Sequence, residues 1–288
     1  MRFKLIDEAK KQFPVHRLCN VLGVSESGFF AWKHRRASQR QLDDMVLLAY
    51  IRSQFALSHG TYGSPRMHVE LCEDGVSVGR HRVARLMRDN GIIALQKRRY
   101  KKTTDSDHDG LVAPNLLDQD FACDGLDQKW GVDISYVWTR EGWLYLAIVL
   151  DLYSRRIIGW ETSDRLKKDL AITALKRAIA TRQPPRDLIH HSDRGSQYYS
   201  HGYRKLLAAN GMLSSMSGKG NCYDNAMVET VFKTIKSELV WRTSFQTRLQ
   251  AKNALGKYID GFYNPRRRHS ALGYKSPIKF EAEMIITE

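Results

Sequence analysis

Cysteine is scarce: Cys19, Cys72, Cys123 and Cys222 are the only four in 288 residues. No two of them form a CxxC pair, so neither a disulfide frame nor a zinc cluster is indicated, and they read as buried or incidental thiols. Long apolar runs are also missing. None approaches the roughly 18 residues needed to span a bilayer, and Met1 to Lys11 lacks the apolar stretch of a signal peptide. A soluble, cytoplasmic chain is expected, with no membrane partner. Acidic residues are the third deficit, 31 Asp and Glu against 46 Lys and Arg, a formal charge of +15. The natural partner of such a chain is a polyanion, nucleic acid before all others.

The charge is uneven. Met1 to Lys102 carries 20 basic and 9 acidic residues, +11 of the +15, which places phosphate contact there. Within it, Val15 to Trp32 reads as helix, turn, helix, with Gly23 stopping the first helix and Ser25 capping the second. A second pair follows: Arg66 to Glu73, a break at Gly75, a candidate cap at Ser77, and a helix whose apolar stripe is Val83, Leu86 and Met87. Arg80, Arg82, Arg85 and Arg88 decorate that last helix, the one a helix-turn-helix places in the major groove. Residues 1–102 are therefore expected to be a helical DNA-binding region. Thr103 to Phe121, with five aspartates around Gly110 and Pro114 and no sustained period, reads as a linker to a domain spanning 122–288.

After the linker the grammar becomes that of strands. Trp130 to Trp138 alternates with period two, Trp143 to Leu152 is a nearly continuous apolar strand, and Arg156 to Thr162 is a third. Helices are expected over Asp169–Thr181, His201–Asn210 and Asp224–Val240, and strands over Asp187–Asp193 and Met212–Met216. The order βββαβαβα implies an α/β fold with a mixed, helix-covered sheet.

Three acids stand where such a fold could gather them. Asp133 lies mid-strand opposite the large apolar side chains, and Asp193 ends its strand just before Arg194-Gly-Ser. Glu229 borders the buried stripe of Val228, Phe232, Ile235 and Leu239 when its helix is wound at about 100° per residue. Asn225 and Lys236 share its side of the helix, whereas Lys233 points further from the stripe. Converging carboxylates repel one another unless hard cations such as Mg²⁺ or Mn²⁺ lie between them, and a two-ion site of that kind suits phosphoryl transfer.

Trp-Gly-Val-Asp133-Ile-Ser-Tyr, His-His-Ser-Asp193-Arg-Gly-Ser-Gln-Tyr and Asn221-Cys-Tyr-Asp-Asn-Ala-Met-Val-Glu229 resemble the three acidic motifs of bacterial insertion-sequence transposases, the second-frame type related to retroviral integrases. Sixty positions separate Asp133 from Asp193, and 35 residues lie between Asp193 and Glu229, as in that family. Gly60-Thr-Tyr-Gly-Ser-Pro-Arg66 and Tyr263-Asn-Pro-Arg-Arg-Arg-His-Ser-Ala-Leu-Gly-Tyr274 resemble its signatures on either side of the catalytic core. The resemblance implies a ribonuclease-H-like, integrase-type core in which Asp133, Asp193 and Glu229 are catalytic and bind two Mg²⁺ (or Mn²⁺) ions. It implies cleavage and strand transfer at element ends, double-stranded DNA as substrate, assembly into an oligomer on DNA, and partnership or fusion with an upstream-frame protein. Lys236 matches the family's basic residue at that helical position and is expected to contact DNA.

Arg266, Arg267 and Arg268 are further candidates for phosphate contact. His190 and His191 read as packing or DNA-contacting residues, because a site of hard oxygens does not need imidazole. His16 and Cys19 alone cannot make the zinc module of integrase relatives. Two competing readings are a helix-turn-helix regulator without catalysis and a ribonuclease-H-like nuclease that cuts without joining.

Overall fold

The computed structural model describes residues 1–94, 113–218 and 224–287. Cys222, the start of the third acidic motif at Asn221 to Tyr223, and residues 103–112 of the expected linker lie outside them. None of the described helices is long and apolar enough to cross a membrane.

Helices α1 (Arg2–Ala9), α2 (Val15–Leu22) and α3 (Glu26–Lys33) form a small unit with its own core of Ile6, Cys19 and Phe29. Its turn follows the expected chemistry: Gly23 closes α2 in the left-handed region (φ 62°), and Ser25 Oγ accepts the Gly28 N–H at 3.1 Å to start α3. Helix α4 (Gln39–Leu57) begins at a capping box in which Ser38 and Gln41 bond reciprocally. Helix α5 (Ser64–Glu73) and helix α6 (Arg80–Asp89) complete the second pair. Gly79, not Ser77, occupies the position before α6, and no side chain caps it.

Strands β1 (Lys129–Thr139), β2 (Gly142–Asp151) and β3 (Ile157–Ser163) make the expected antiparallel meander. Helix α7 (Lys168–Arg182) returns the chain to β4 (Ile189–Ser192), which lies parallel to β1, and α8 (His201–Ala209) leads to β5 (Leu213–Met216), parallel to β4. The resulting order is β3-β2-β1-β4-β5, a mixed sheet. On one face Trp130, Val132, Ala147 and Val149 pack against α7 and α8. Gly159 of β3 lets α7 approach closely, since a Cβ there would come within 2.4 Å of the Ala174 carbonyl oxygen.

The opposite face carries α9 (Ala226–Glu238) and α10 (Arg248–Tyr258), whose last turn widens into a π-helix over Ile259–Tyr263. This core is continuous with the helical region: Leu47, Ile51, Tyr62, Met67 and Val83 belong to the same cluster as Leu146, Val228 and Phe262. Residues 113–121, within the expected linker, are anchored to the sheet domain. Leu117 is buried in that core, the Met216 N–H bonds to the Pro114 carbonyl, and the Leu116 N–H bonds to Ser215 Oγ.

The two sequence signatures that flank the catalytic core meet each other. The Tyr62 hydroxyl donates to the Arg266 carbonyl and accepts the Arg268 N–H at 2.8 Å, while Arg268 pairs with Glu70 and, at 2.8 Å, with Glu73. Asn264 spans to the edge strand with both ends of its amide, accepting the Ile157 N–H at 3.0 Å and donating to the Ile157 carbonyl at 2.9 Å. Helix α11 (Pro277–Thr287) is held by buried Glu281, which binds Arg156 and Arg182.

Candidate active site

Strand register brings two of the three acids together. Gly131 of β1 stands beside His191 of β4, and two residues further along each chain come Asp133 and Asp193. Parallel neighbours are about 4.8 Å apart, so Asp133 within β1 and Asp193, one residue past the end of β4, come near each other. Asp193 also accepts the Gly195 N–H at 2.9 Å, an Asx turn that fixes the chain where it leaves β4. Asp133 accepts the Ile134 N–H at 2.7 Å.

The third acid arrives on α9. A Cβ on Gly131 would stand 2.6 Å from Val228 Cγ2, so the absence of a side chain there lets α9 lie against β1. Asn225 fastens the start of that helix by donating to the Val132 carbonyl at 3.3 Å. Glu229, one residue past Val228, is partly exposed and accepts from Lys233 at 3.3 Å. Lys233 thus reaches back along its own helix to Glu229.

The electrostatics agree with this placement. Burial pushes the Asp133 carboxyl well above the usual range, the Asp193 charge pushes it further, and Glu229 adds to both, while the Ile134 N–H and Lys236 oppose them. Burial likewise raises Asp193, opposed by the Gly195 N–H. Lys236 is half-buried, its Nζ 4.7 Å from the centre of the Tyr136 ring, and burial lowers its pKa against the pull of Asp133. Tyr198 was not singled out in the sequence, although it closes the Asp193 motif. Its hydroxyl is buried without a hydrogen-bond partner among the described residues, and burial, Asp193 and Asp133 together raise its pKa.

Among the described residues no group of three His, Cys, Asp or Glu side chains stands ready to hold a metal ion. The donor chemistry nonetheless fits one: two half-buried, mutually repelling carboxylates are what a hard divalent cation neutralises. Glu229 is restrained by an exposed i, i+4 ion pair worth about 0.3–0.5 kcal/mol, too weak to keep a carboxylate from such a cation.

The histidines serve packing. His190 bonds to the Tyr203 hydroxyl at 3.0 Å, and His191 lies between Ser215 Oγ at 2.8 Å and Ser217 Oγ at 3.1 Å, joining β4 to β5. Burial lowers their pKa values to about 3 and about 4 respectively.

The arginines divide. Arg82 and Arg85 both clasp Asp44 of α4, at 2.7 and 2.6 Å, whereas Arg80 and Arg88 are exposed. Phosphate contact by the Arg266–Arg268 run is corrected at two of its three positions. Arg267 is buried and grips Glu238 with two nitrogens, at 2.8 and 2.6 Å, beside the Tyr258 hydroxyl. Arg268 is buried on Glu70 and Glu73, and only Arg266 faces solvent. Buried guanidinium groups require carboxylate partners, and the run supplies them to distant helices.

Comparison with known proteins places these features. Residues 125–222 match the family described as Integrase core domain, residues 210–277 match a second family of the same description, and residues 41–100 match the HTH-like domain. The chain is 43% identical over 263 residues to the insertion element IS600 uncharacterized 31 kDa protein of Shigella sonnei, covering 91% of this chain and 97% of that one. It is 40% identical over 288 residues to transposase InsF for insertion sequence IS3A of Escherichia coli (strain K12), covering 98% of each. A structure of the HTLV-2 integrase catalytic core domain in complex with magnesium aligns at 16% identity and a TM-score of 0.43, covering 54% of this chain and 97% of that one.

Proposed function

The chain belongs to the IS3-family insertion-sequence transposases, and on that premise we propose that Asp133, Asp193 and Glu229 are its catalytic carboxylates. It is a DNA transposase, a polynucleotidyl transferase with a ribonuclease-H-like core. The observation that supports the assignment is the parallel register of β1 and β4, in which Gly131 stands beside His191 two residues before Asp133 and Asp193. Asp133 and Asp193, joined by Glu229, would hold two Mg²⁺ or Mn²⁺ ions. Such ions, when bound, activate an attacking oxygen and stabilise the leaving one.

The residues themselves supply position and charge. The two aspartates present their oxygens to an approaching DNA phosphate. Lys236, beside Asp133, offsets the negative charge of that phosphate. Tyr198 supplies a buried hydroxyl next to both aspartates. In cleavage, water attacks phosphorus and the 3′ oxygen departs. In joining, a 3′-hydroxyl attacks a second phosphodiester and its own leaving oxygen departs, so no bond to the enzyme forms. Exposed Arg80, Arg88 and Arg266 contribute phosphate contacts with the flanking DNA. Work on both DNA ends calls for an oligomer on DNA, in the cytoplasm at the nucleoid, with the upstream-frame protein as a further partner.

The test incubates purified protein with labelled element-end DNA and Mg²⁺. Asp133→Asn, Asp193→Asn and Glu229→Gln are each expected to abolish cut and joined products while DNA binding and melting temperature persist. Cleavage retained by any one variant removes that residue from the site, and cut ends without joined products from the wild-type protein would reduce the activity to that of a nuclease.

A further inference from the structure

The turn end of the β1–β2 hairpin carries three exposed aromatic side chains. Tyr136, Trp138 and Trp143 are 43, 57 and 44% exposed. Trp138 and Trp143 are directly opposed across the two strands, so they share a face, and their ring centres are 4.7 Å apart at 72°. Trp143 also meets Tyr136 edge-on at 5.0 Å. Large aromatic surfaces left in water on a rigid element call for a ligand, and edge-to-face packing leaves ring faces free to stack.

Three cations lie near the patch, with Glu141 at the same turn accepting the Arg248 backbone N–H at 2.8 Å. Lys236 lies over the Tyr136 ring, Arg140 is exposed at the turn, and Arg248 Nε donates to the Trp143 carbonyl at 3.1 Å. Lys236 also feels the charge of Asp133. Tyr136 follows Asp133 by three residues, about 10 Å along β1 and on the opposite face of the strand, so Lys236 is what links the patch to the carboxylate site. Ring faces among cations are the chemistry that takes a nucleobase and its phosphate, because every base has a π-face and every linkage a negative charge.

Resting on the transposase reading above, we propose that Tyr136, Trp138 and Trp143 form a stacking platform for an unpaired nucleobase at the DNA end being processed. The hairpin is pre-organised for this, paired without interruption from Trp130 with Asp151 to Thr139 with Gly142, so little ordering cost attends binding. Stacking holds the terminal nucleotide out of the duplex while the adjoining phosphodiester lies toward Asp133.

The experiment uses the full chain with duplexes bearing 2-aminopurine at the terminal position, either unpaired or paired in a blunt end. Wild-type protein is expected to quench the unpaired probe and to bind unpaired ends more tightly than blunt ones. Trp138→Ala and Trp143→Leu are expected to lose that preference by about ten-fold, whereas Trp138→Phe, which keeps a ring face, retains it. The platform is overturned if either of the first two variants discriminates as the wild type does, or if affinity falls equally for both ends. It is also overturned if the substitutions only dissociate a protein dimer in the absence of DNA. Asp133→Asn serves to separate the two readings, since it should stop cleavage yet leave quenching intact. Wild-type protein that cleaves and joins ends without quenching the probe removes the platform alone, and wild-type protein that neither binds nor cleaves ends removes the transposase reading with it.

Discussion

Lys233 and Lys236 stand three positions apart on α9 and have different neighbours. The former reaches back one turn to Glu229, and the latter lies on the Tyr136 ring within the field of Asp133. If Lys236 neutralises a phosphate beside the scissile bond, Lys236→Ala should lower cleavage of element-end DNA and reduce the slope of log affinity against log salt by about one unit. The loss of its contact with Tyr136 should cost about 0.5–1 kcal/mol of stability, more than a solvated lysine would. Titrations at several salt concentrations together with thermal melts check both, and an unchanged slope removes the phosphate contact. The sequence put Lys236 on the right side of the helix from its angle alone. It could not show that Lys233 would swing to Glu229, because a long flexible side chain chooses among partners that only the assembled surface offers. The same holds for the arginines. Arg267 next to Arg266 differs from it only in facing Glu238, and nothing in a run of three identical residues marks which are turned inward.

At the scale of elements, β1 was readable from its strict alternation and β2 from its nearly continuous apolar run, and β1, β2 and β3 begin and end within one residue of the expected segments. Helices α1 and α4 were not anticipated. In α4 the inward residues Leu47 and Ile51 are matched on the outward side by exposed Leu42, Met45, Val46, Tyr50 and Leu57, so the helix is apolar on two faces and its period is blurred. The capping box at Ser38 and Gln41 was the legible signal for it. Element ends are also where the buried ion pairs act. The Glu238–Arg267 pair ties the last turn of α9 to the chain after the π-helix, and Arg267→Ala would leave Glu238 buried without its cation. That variant should lose about 3–5 kcal/mol in chemical denaturation, while Arg266→Ala, one residue away and exposed, should fall within about 0.5 kcal/mol of wild type. Equal effects of the two substitutions would refute the assignment of Arg267 to the interior.

At the scale of the molecule, the boundary expected at residue 102 does not coincide with a break in the core. Residues 1–33 have their own small apolar cluster, but α4 to α6 share theirs with the sheet domain. Removing residues 1–37 should therefore leave the remainder melting within a few degrees of the full chain. Removing residues 1–94 takes His59 off the Phe262 ring and strips Arg268 of Glu70 and Glu73, so that fragment should melt far earlier or fail to fold. Calorimetry of the two truncations checks this, and equal stability would restore an independent helical domain. The pairing of the two flanking signatures also bears on synthesis. Hydrogen bonds from Tyr62 to the chain around Arg266 and Arg268 join positions 204 and 206 residues apart. Ribosomes release the amino-terminal partner long before the carboxyl-terminal one exists. Until residue 268 has emerged, Glu238 has no Arg267 and Glu70 has no Arg268, and α9, which carries Glu229, lacks its distal anchor. A product terminated upstream of the second signature should therefore keep α9 but lack the Arg267 anchor at its end, and should melt earlier than the full chain.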